Sequence, residues 1–322
     1  MATQRLGHSG IEVSAVGIGC NAFGARVDAE GTRAVVDAAL DAGVTLFDTA
    51  DVYSLGASEE LVGAALQGRR DEVVLATKFG MDMEGVNGDD GGRRGTRTYV
   101  RTAVEASLRR LGTDHIDLYQ LHTPDRQTPL EETMGALDEL VQEGLVRAVG
   151  CSNFAAWEVV DAHWRATVRG SATFTTAQNE YSLYNRAAEV ELAPACDALD
   201  IGLLPYFPLA YGLLTGKYRR GEGAPEGTRL AGERQAHRLE NADWDTIQAL
   251  QDFADAHGID LLTLAIGGLS AQPAVSSVIA GVSRPEQVAA NVAAAAWVPD
   301  EAQLAELAEI GRPARTHTTF AT

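Results

Sequence analysis

The sequence predicts an α/β fold: a (β/α)8 TIM barrel with an N-terminal β-hairpin and a C-terminal helical extension. Eight short, nearly continuous apolar runs alternate with longer stretches of helical periodicity, as expected for strands buried on both faces of a parallel sheet. Several of those runs end in polar side chains, at the strand ends where a barrel gathers its active site. A doubly wound sheet would instead need G-x-G-x-x-G directly after its first strand. The nearest match, GIGCNAFG from Gly17, brings its last glycine too late, and no GxxxxGK loop occurs.

The elements follow in order. RLGHSGIEV predicts a hairpin turning at Ser9-Gly10. Strands are expected in AVGIG ending near Gly19, VTLFD at Asp48, VVLATK at Lys78 and IDLYQLH at His122. The remaining four are VRAVGCS ending at Ser152, TTAQN at Asn179, IGLLPY at Tyr206 and SSVIAG at Gly281. Thr32 and Ser58 precede RAVVDAALDAG and EELVGAAL as expected N-caps, and Gly43 closes the first of these helices. Val100, Val104, Leu108 and Leu111 share one helix face, as do Leu130, Met134, Leu137 and Val141 ahead of Gly144. Leu304, Leu307 and Ile310 predict a last helix. With no repeat or linker, residues 1–322 are expected to form one domain. One stretch, Tyr218 to His237, is rich in Gly, Pro and charge; it reads as an ordered lid or as a disordered segment.

Composition narrows the function classes. A formal charge of −19 repels nucleic-acid phosphates at long range. No apolar run is long enough to span a membrane, and the N-terminus lacks a signal-peptide core, so a cytoplasmic address is expected. Cys20, Cys151 and Cys196 form neither a disulfide framework nor a metal pattern; they are expected to be small buried side chains, and no metal site is expected. The basic GGRRGTR cluster (Arg93, Arg94, Arg97) reads as a solvated loop.

Four polar groups converge on one rim. LFDTADVY places Asp48 at a strand tip and Tyr53 in the next loop, LATKFG places Lys78 at the end of an apolar run, and LYQLHTPD places His122 at the same level. A buried ammonium needs a partner, and Asp48 is the natural one. The set suits carbonyl reduction. Hydride attack leaves an alkoxide that needs a proton, a tyrosine made more acidic by a lysine can give it, and a histidine can polarise the oxygen. The hydride must come from a cofactor.

From end to end the chain resembles the aldo-keto reductases, and especially the branch that includes potassium-channel β-subunits. The segments that carry the resemblance are FDTADVYSLGASEELVGAAL, VVLATKFG, YVRTAVEASLRRLGTDHIDLYQLHTPD, VRAVGCSNF, TTAQNEYSL, PYFPLAYGLLTGKY and VIAGVSRPEQVAAN. The resemblance implies that Tyr53 is the proton donor, with Asp48, Lys78 and His122 completing a tetrad. It implies that Ser152, Asn153 and Gln178 hold the nicotinamide carboxamide and that Tyr206 stacks on the ring. Pro208, Leu209, Gly212 and Lys217 would follow the pyrophosphate, and Gly281, Ser283, Arg284, Gln287 and Asn291 the adenosine phosphate. Arg284, with Pro285 opening a helix, suits a 2′-phosphate and hence NADPH (NADP+). Ala280 and Gly281 stand where many members carry Pro and a basic residue, which leaves NADH possible. The GGLS stretch from Gly267 replaces bulkier residues and reads as a packing change.

The implied activity is reversible reduction of an aldehyde or ketone, with a small-molecule carbonyl as partner and no obligate protein partner. The alternatives are an NADPH-binding regulatory subunit with residual activity, and a barrel isomerase without a cofactor. Substrate choice is expected to lie in the loops at the mouth: Asn21 and Phe23, Met81–Arg97, Phe154–Trp157, the Tyr218–His237 stretch and the final THTTFAT. Phe23, Phe79, Trp157 and Tyr211 are candidates for an aromatic pocket.

Overall fold

A computed structural model of the protein describes residues 2–313; THTTFAT, at 316–322, lies outside the described residues. Strands β1 (Thr3–Arg5) and β2 (Glu12–Ser14) pair antiparallel, Thr3 opposite Ser14. The turn between them needs a left-handed residue, which Gly10 supplies at φ 75°.

Eight parallel strands follow: β3 (Val16–Gly19), β4 (Leu46–Asp48), β5 (Val74–Phe79), β6 (Ile116–Leu121), β7 (Val146–Ser152), β8 (Thr176–Gln178), β9 (Gly202–Leu203) and β10 (Val278–Gly281). Each pairs with the next from β3 to β9, and β10 pairs with β3. Bridges from Leu203 to Val275 and from Tyr206 to Ile279 close the ring. All eight expected strands are present. β9 is shorter than the IGLLPY run because Pro205 has no amide hydrogen for the ladder, and pairing resumes at Tyr206 as single bridges.

The helices are α1 (Ala29–Asp41), α2 (Ala57–Ala65), α3 (Arg97–Leu111), α4 (Leu130–Gln142), α5 (Ala156–Arg169), α6 (Leu192–Ala198), α7 (Glu233–Glu240), α8 (Trp244–Ala256), α9 (Leu261–Ser270), α10 (Pro285–Ala294) and α11 (Glu301–Glu309). Gly43 and Gly144 sit just past α1 and α4 at φ 77° and 78°, as expected. Two expected caps are corrected. Helix α1 starts earlier, with Asp28 accepting from the Gly31 amide, and Thr32 is a buried residue inside it. Ser58 lies inside the first turn of α2, where its hydroxyl donates to the Cys20 carbonyl and meets the Thr49 hydroxyl. It ties the helix to the barrel instead of capping it. The Tyr218–His237 stretch is also more regular than expected: a helical turn forms at Arg229–Ala231, and α7 begins within it.

The glycines of GGLS are a packing device, as the sequence suggested. A Cβ at Gly267 would come within 2.7 Å of the Trp297 carbonyl oxygen and 2.9 Å of that of Ala294, so α9 lies directly on the end of α10.

The barrel interior follows the two-residue period of its strands. Its lower end is apolar: Leu46, Val74, Ala76, Leu118, Ala148, Leu204 and Ile279 cluster with Leu6, Ile11 and Val13 of the hairpin, which plugs the N-terminal end. Two residues further along four of these strands the side chains become Asp48, Lys78, Gln120 and Tyr206, and Ser152 lies four residues past Ala148. Leu6 is fully buried at the centre of the plug. Leu6→Ala is expected to cost about 2–5 kcal/mol by urea denaturation; a loss under half a kilocalorie would show that the hairpin does not seal the barrel.

Candidate active site

Lys78 stands at the end of β5 with its side chain fully buried. Its ammonium donates to Asp48 Oδ2 at 2.6 Å and to the Thr49 carbonyl at 2.8 Å. The other carboxylate oxygen of Asp48 accepts from Gln120 Nε2 at 3.0 Å and Gln178 Nε2 at 3.1 Å. Donors on β5, β6 and β8 thus meet one carboxylate from β4 inside the ring. Tyr53 lies beside them, with the Lys78 nitrogen 5.1 Å from its ring centre. His122, one residue past β6, packs edge-on to the Tyr53 ring with centroids 5.8 Å apart. All four groups expected from the sequence meet at the carboxyl ends of neighbouring strands.

Electrostatics assign each group a state. Burial works against the charge on Lys78, but the Asp48 carboxylate and the Tyr53 oxygen outweigh it and hold the pKa above the usual lysine value. Burial raises the Tyr53 pKa, while the Lys78 charge pulls it down without cancelling the rise. The lysine therefore acts in the direction anticipated, yet burial prevails and the phenol keeps its proton at neutral pH. His122 is pushed down to about 3, chiefly by burial and then by the Lys78 charge. The imidazole is neutral, so it can orient or polarise a bound group, and the protonated Tyr53 phenol can give up a proton.

The residues anticipated to hold a nicotinamide nucleotide occupy the other side of the ring, from β7 to β10. Ser152 ends β7, and its hydroxyl donates to the Gln178 carbonyl. Asn153 follows at φ 62°, with Nδ2 donating to the His122 carbonyl and Oδ1 accepting from the Tyr206 hydroxyl at 2.7 Å. Neither residue caps α5, whose N-cap is Ala155. Burial pushes the Tyr206 phenol up to about 12. Beyond it, Phe207, Ala210 and Tyr211 all have positive φ, as does Gly212 at 107°. Pro208 is buried, Leu209 half-buried and Lys217 exposed. Past β10, where Gly281 is exposed, the Ser283 amide and hydroxyl both donate to Gln287 Oε1, and Asn291 is buried in α10. Arg284 is exposed at the N-cap of α10 and makes no ion pair among the described residues. These groups fit the cofactor: a stack of polar amides at one end, a free guanidinium at a helix N-terminus at the other.

Three groups were missed. Gln120 sits in the middle of an apolar strand, where nothing in the sequence distinguishes it from packing. Arg229 lies in the Tyr218–His237 stretch, expected to be a lid or a disordered segment, and Arg238 lies just past it in α7. Arg229 stands 5.2 Å from the Phe207 ring centre and 5.4 Å from that of Tyr211, and Arg238 stands 3.4 Å from Tyr211. Burial and the neighbouring Arg26 charge lower the Arg229 pKa. Positive charge is therefore gathered beside the Pro208–Lys217 segment in a chain of net charge −19. The GGRRGTR cluster does not add to it, since Arg94 pairs with Asp82 and Asp90, and Arg97 with Glu139.

The aromatic pocket is corrected. Phe23 and Phe79 are fully buried in the core between sheet and helices, Phe79 stacked on Tyr119, and Trp157 is exposed on α5. Tyr211 lines a cavity about 420 Å3 in volume, bordered by Glu180, Tyr184, His237, Arg238 and Asp243. None of the tetrad lines that cavity. The three cysteines are buried and unpaired, as anticipated.

Residues 15–312 match the model of the aldo/keto reductase family. An uncharacterised oxidoreductase of Bacillus subtilis is 35% identical over 88% of this chain and 87% of its own length. A probable voltage-gated potassium channel subunit beta from Oryza sativa is 33% identical over 93% of this chain and 92% of its own. A probable aldo-keto reductase 1 from Glycine max is 34% identical over 95% of this chain and 87% of its own.

A depressed histidine pKa makes the site sensitive to acid. Unfolded histidine titrates near ~6.5, so the unfolded chain takes up a proton there that the folded one refuses until about pH 3. The stability due to neutral His122 is complete above pH ~6.5 and declines as pH falls towards 3. Urea denaturation between pH 7 and 4 should show a steeper loss for wild type than for His122→Gln; parallel slopes would mean that the folded imidazole titrates normally.

Proposed function

The chain belongs to the aldo/keto reductase family, and from that premise we propose that it reduces an aldehyde or ketone to the alcohol with NADPH, Tyr53 giving the proton. As a member it is a nicotinamide-dependent oxidoreductase. The observation that carries the proposal is the buried Lys78–Asp48 pair against a protonated Tyr53 and a neutral His122.

When bound, the nicotinamide supplies the hydride. The chain's own residues do the rest. Ser152, Asn153 and Gln178 hold the carboxamide, and Tyr206 presents a flat face to the ring. Arg284 and Ser283 take the 2′-phosphate, aided by the α10 N-terminus, while Arg229 and Arg238 place positive charge beside the pyrophosphate segment. His122 donates to the carbonyl oxygen and orients it towards Tyr53. Tyr53 passes its proton to that oxygen as negative charge develops there, and the Lys78 ammonium stabilises the phenolate left behind. Asp48, held by Gln120 and Gln178, keeps the ammonium charged and aimed. The setting proposed is a single barrel domain in the cytoplasm, acting on a small carbonyl compound without a protein partner.

A second reading, an NADPH-binding regulatory protein with residual activity, draws on the relatives named as potassium channel subunits. Turnover separates the two, because an enzyme should reach about 1 s⁻¹ on a good carbonyl, the low end of ordinary enzymes.

Three outcomes test the proposal. In a fluorescence titration NADPH should quench tightly and NADH weakly, and failure of both to bind would remove the hydride mechanism. Tyr53→Phe should lower kcat by about 10²–10⁴-fold with NADPH affinity intact; a variant that kept most of its kcat would exclude Tyr53 as donor. Arg284→Ala should weaken NADPH by about 1.5–3 kcal/mol and spare NADH. Equal losses for the two cofactors would give Arg284 a structural role.

A further inference from the structure

Tyr53 is carried by an unusual piece of backbone. Ser54 and Leu55 both have φ 52°, and Gly56 has φ 97°. Two consecutive residues with side chains in the left-handed region need outside constraint to stay there. On the side away from the barrel interior, the turn rests on Arg110 of α3. A Cβ at Gly56 would come within 2.6 Å of Arg110 Cδ and 2.9 Å of its Nε.

Arg110 is itself fixed. Its Nε donates to Glu59 Oε2 of α2 at 2.6 Å, and its Nη1 donates to Asn87 Oδ1 at 3.1 Å. Asn87, in the loop after β5, donates from Nδ2 to Asp51 Oδ2 at 3.1 Å. The second Glu59 oxygen accepts from the Thr77 hydroxyl at 2.6 Å. Asp51 precedes Tyr53 by two residues, and its amide donates to the Lys78 carbonyl at 3.0 Å. Thr77 is the residue before Lys78. One arginine thus bounds both ends of the Tyr53 turn, by close packing at Gly56 and through Asn87 at Asp51, and Glu59 anchors it to the strand that carries Lys78.

Asp51, Glu59, Thr77 and Asn87 are all buried. Burial, then the Glu59 charge, push the Asp51 carboxyl up to about 8, with Arg110 opposing. Behind the barrel wall the cluster thus sets the Arg110–Glu59 ion pair beside a carboxyl, Asp51, that holds its proton near neutral pH. An apolar filling would stabilise such a space equally well; fixed donors and acceptors add a defined position for what they hold.

We propose that Arg110, seated on Glu59 and Asn87, is a positioning residue for the proton transfer: it holds the Asp51–Gly56 turn so that the Tyr53 hydroxyl faces Lys78 and His122. The proposal rests on Tyr53 being the donor. It touches neither cofactor nor substrate, so its loss should slow proton transfer while sparing NADPH binding.

Two variants test it in different ways. Arg110→Lys keeps a cation beside Glu59 but cannot reach both Glu59 and Asn87 with fixed geometry. Gly56→Ala keeps every charge, crowds the Arg110 side chain and strains the turn at a φ of 97°. The measurements are kcat on 4-nitrobenzaldehyde per NADPH-binding site, the solvent deuterium isotope effect on kcat, and NADPH affinity by fluorescence. Both variants should lose about 10–100-fold in kcat, as expected for a misplaced catalytic group, with a larger isotope effect than wild type and NADPH affinity within about twofold of it. Wild-type kcat in either variant overturns the proposal, and so does a parallel fall of kcat and affinity with an unchanged isotope effect. Wild type, run alongside, separates the two levels: if it does not turn over the aldehyde, the reductase reading fails, and positioning fails with it.

Discussion

A lysine ammonium with no exposed side-chain surface, 2.6 Å from a single carboxylate, is the constraint on which the rest of this structure turns. A buried charge without a partner is ruinous, and a buried pair is tolerable only when every remaining lone pair and proton is met. That requirement explains Gln120 and Gln178, two amides from different strands that converge on the free Asp48 oxygen, and the Thr49 carbonyl that takes a second ammonium proton. It also fixes the alignment of β4, β5, β6 and β8, because a one-residue slip would turn these side chains out of the barrel.

The same pair sets the chemistry around it. Its positive end depresses the imidazole and draws on the phenol, while burial drives both towards their neutral forms. The outcome is a site with one fixed charge pair and two neutral hydrogen-bonding groups. The phenol holds its own proton, which is not shared among several groups.

Much of this was legible in the sequence, for reasons that differ from element to element. The strands could be read because each is apolar for its whole length and stops at a polar tip, and the tetrad because its members lie at or just past three successive tips. Helix starts were less legible. Asp28 and Thr32 are both competent caps, and the choice was made by the burial of Thr32. Ser58 was misread because its hydroxyl serves the barrel, a tertiary bond that no local pattern reports. The aromatic pocket failed for a related cause: Phe23 and Phe79 look the same in sequence whether they face a cavity or a core. Arg229 and Arg238 were hidden by their irregular surroundings, and Arg110 by an ordinary amphipathic helix.

Among the described residues the hairpin plug closes the N-terminal end of the barrel. With Leu6, Ile11 and Val13 filling the lower end, the tetrad is left to be reached from the rim at the carboxyl ends of the strands. A dinucleotide laid along β7–β10 would therefore form part of the wall of the chamber that the second reactant enters. Under the function proposed above, arrival and departure would then form a queue set by the architecture, with the larger molecule first in and last out.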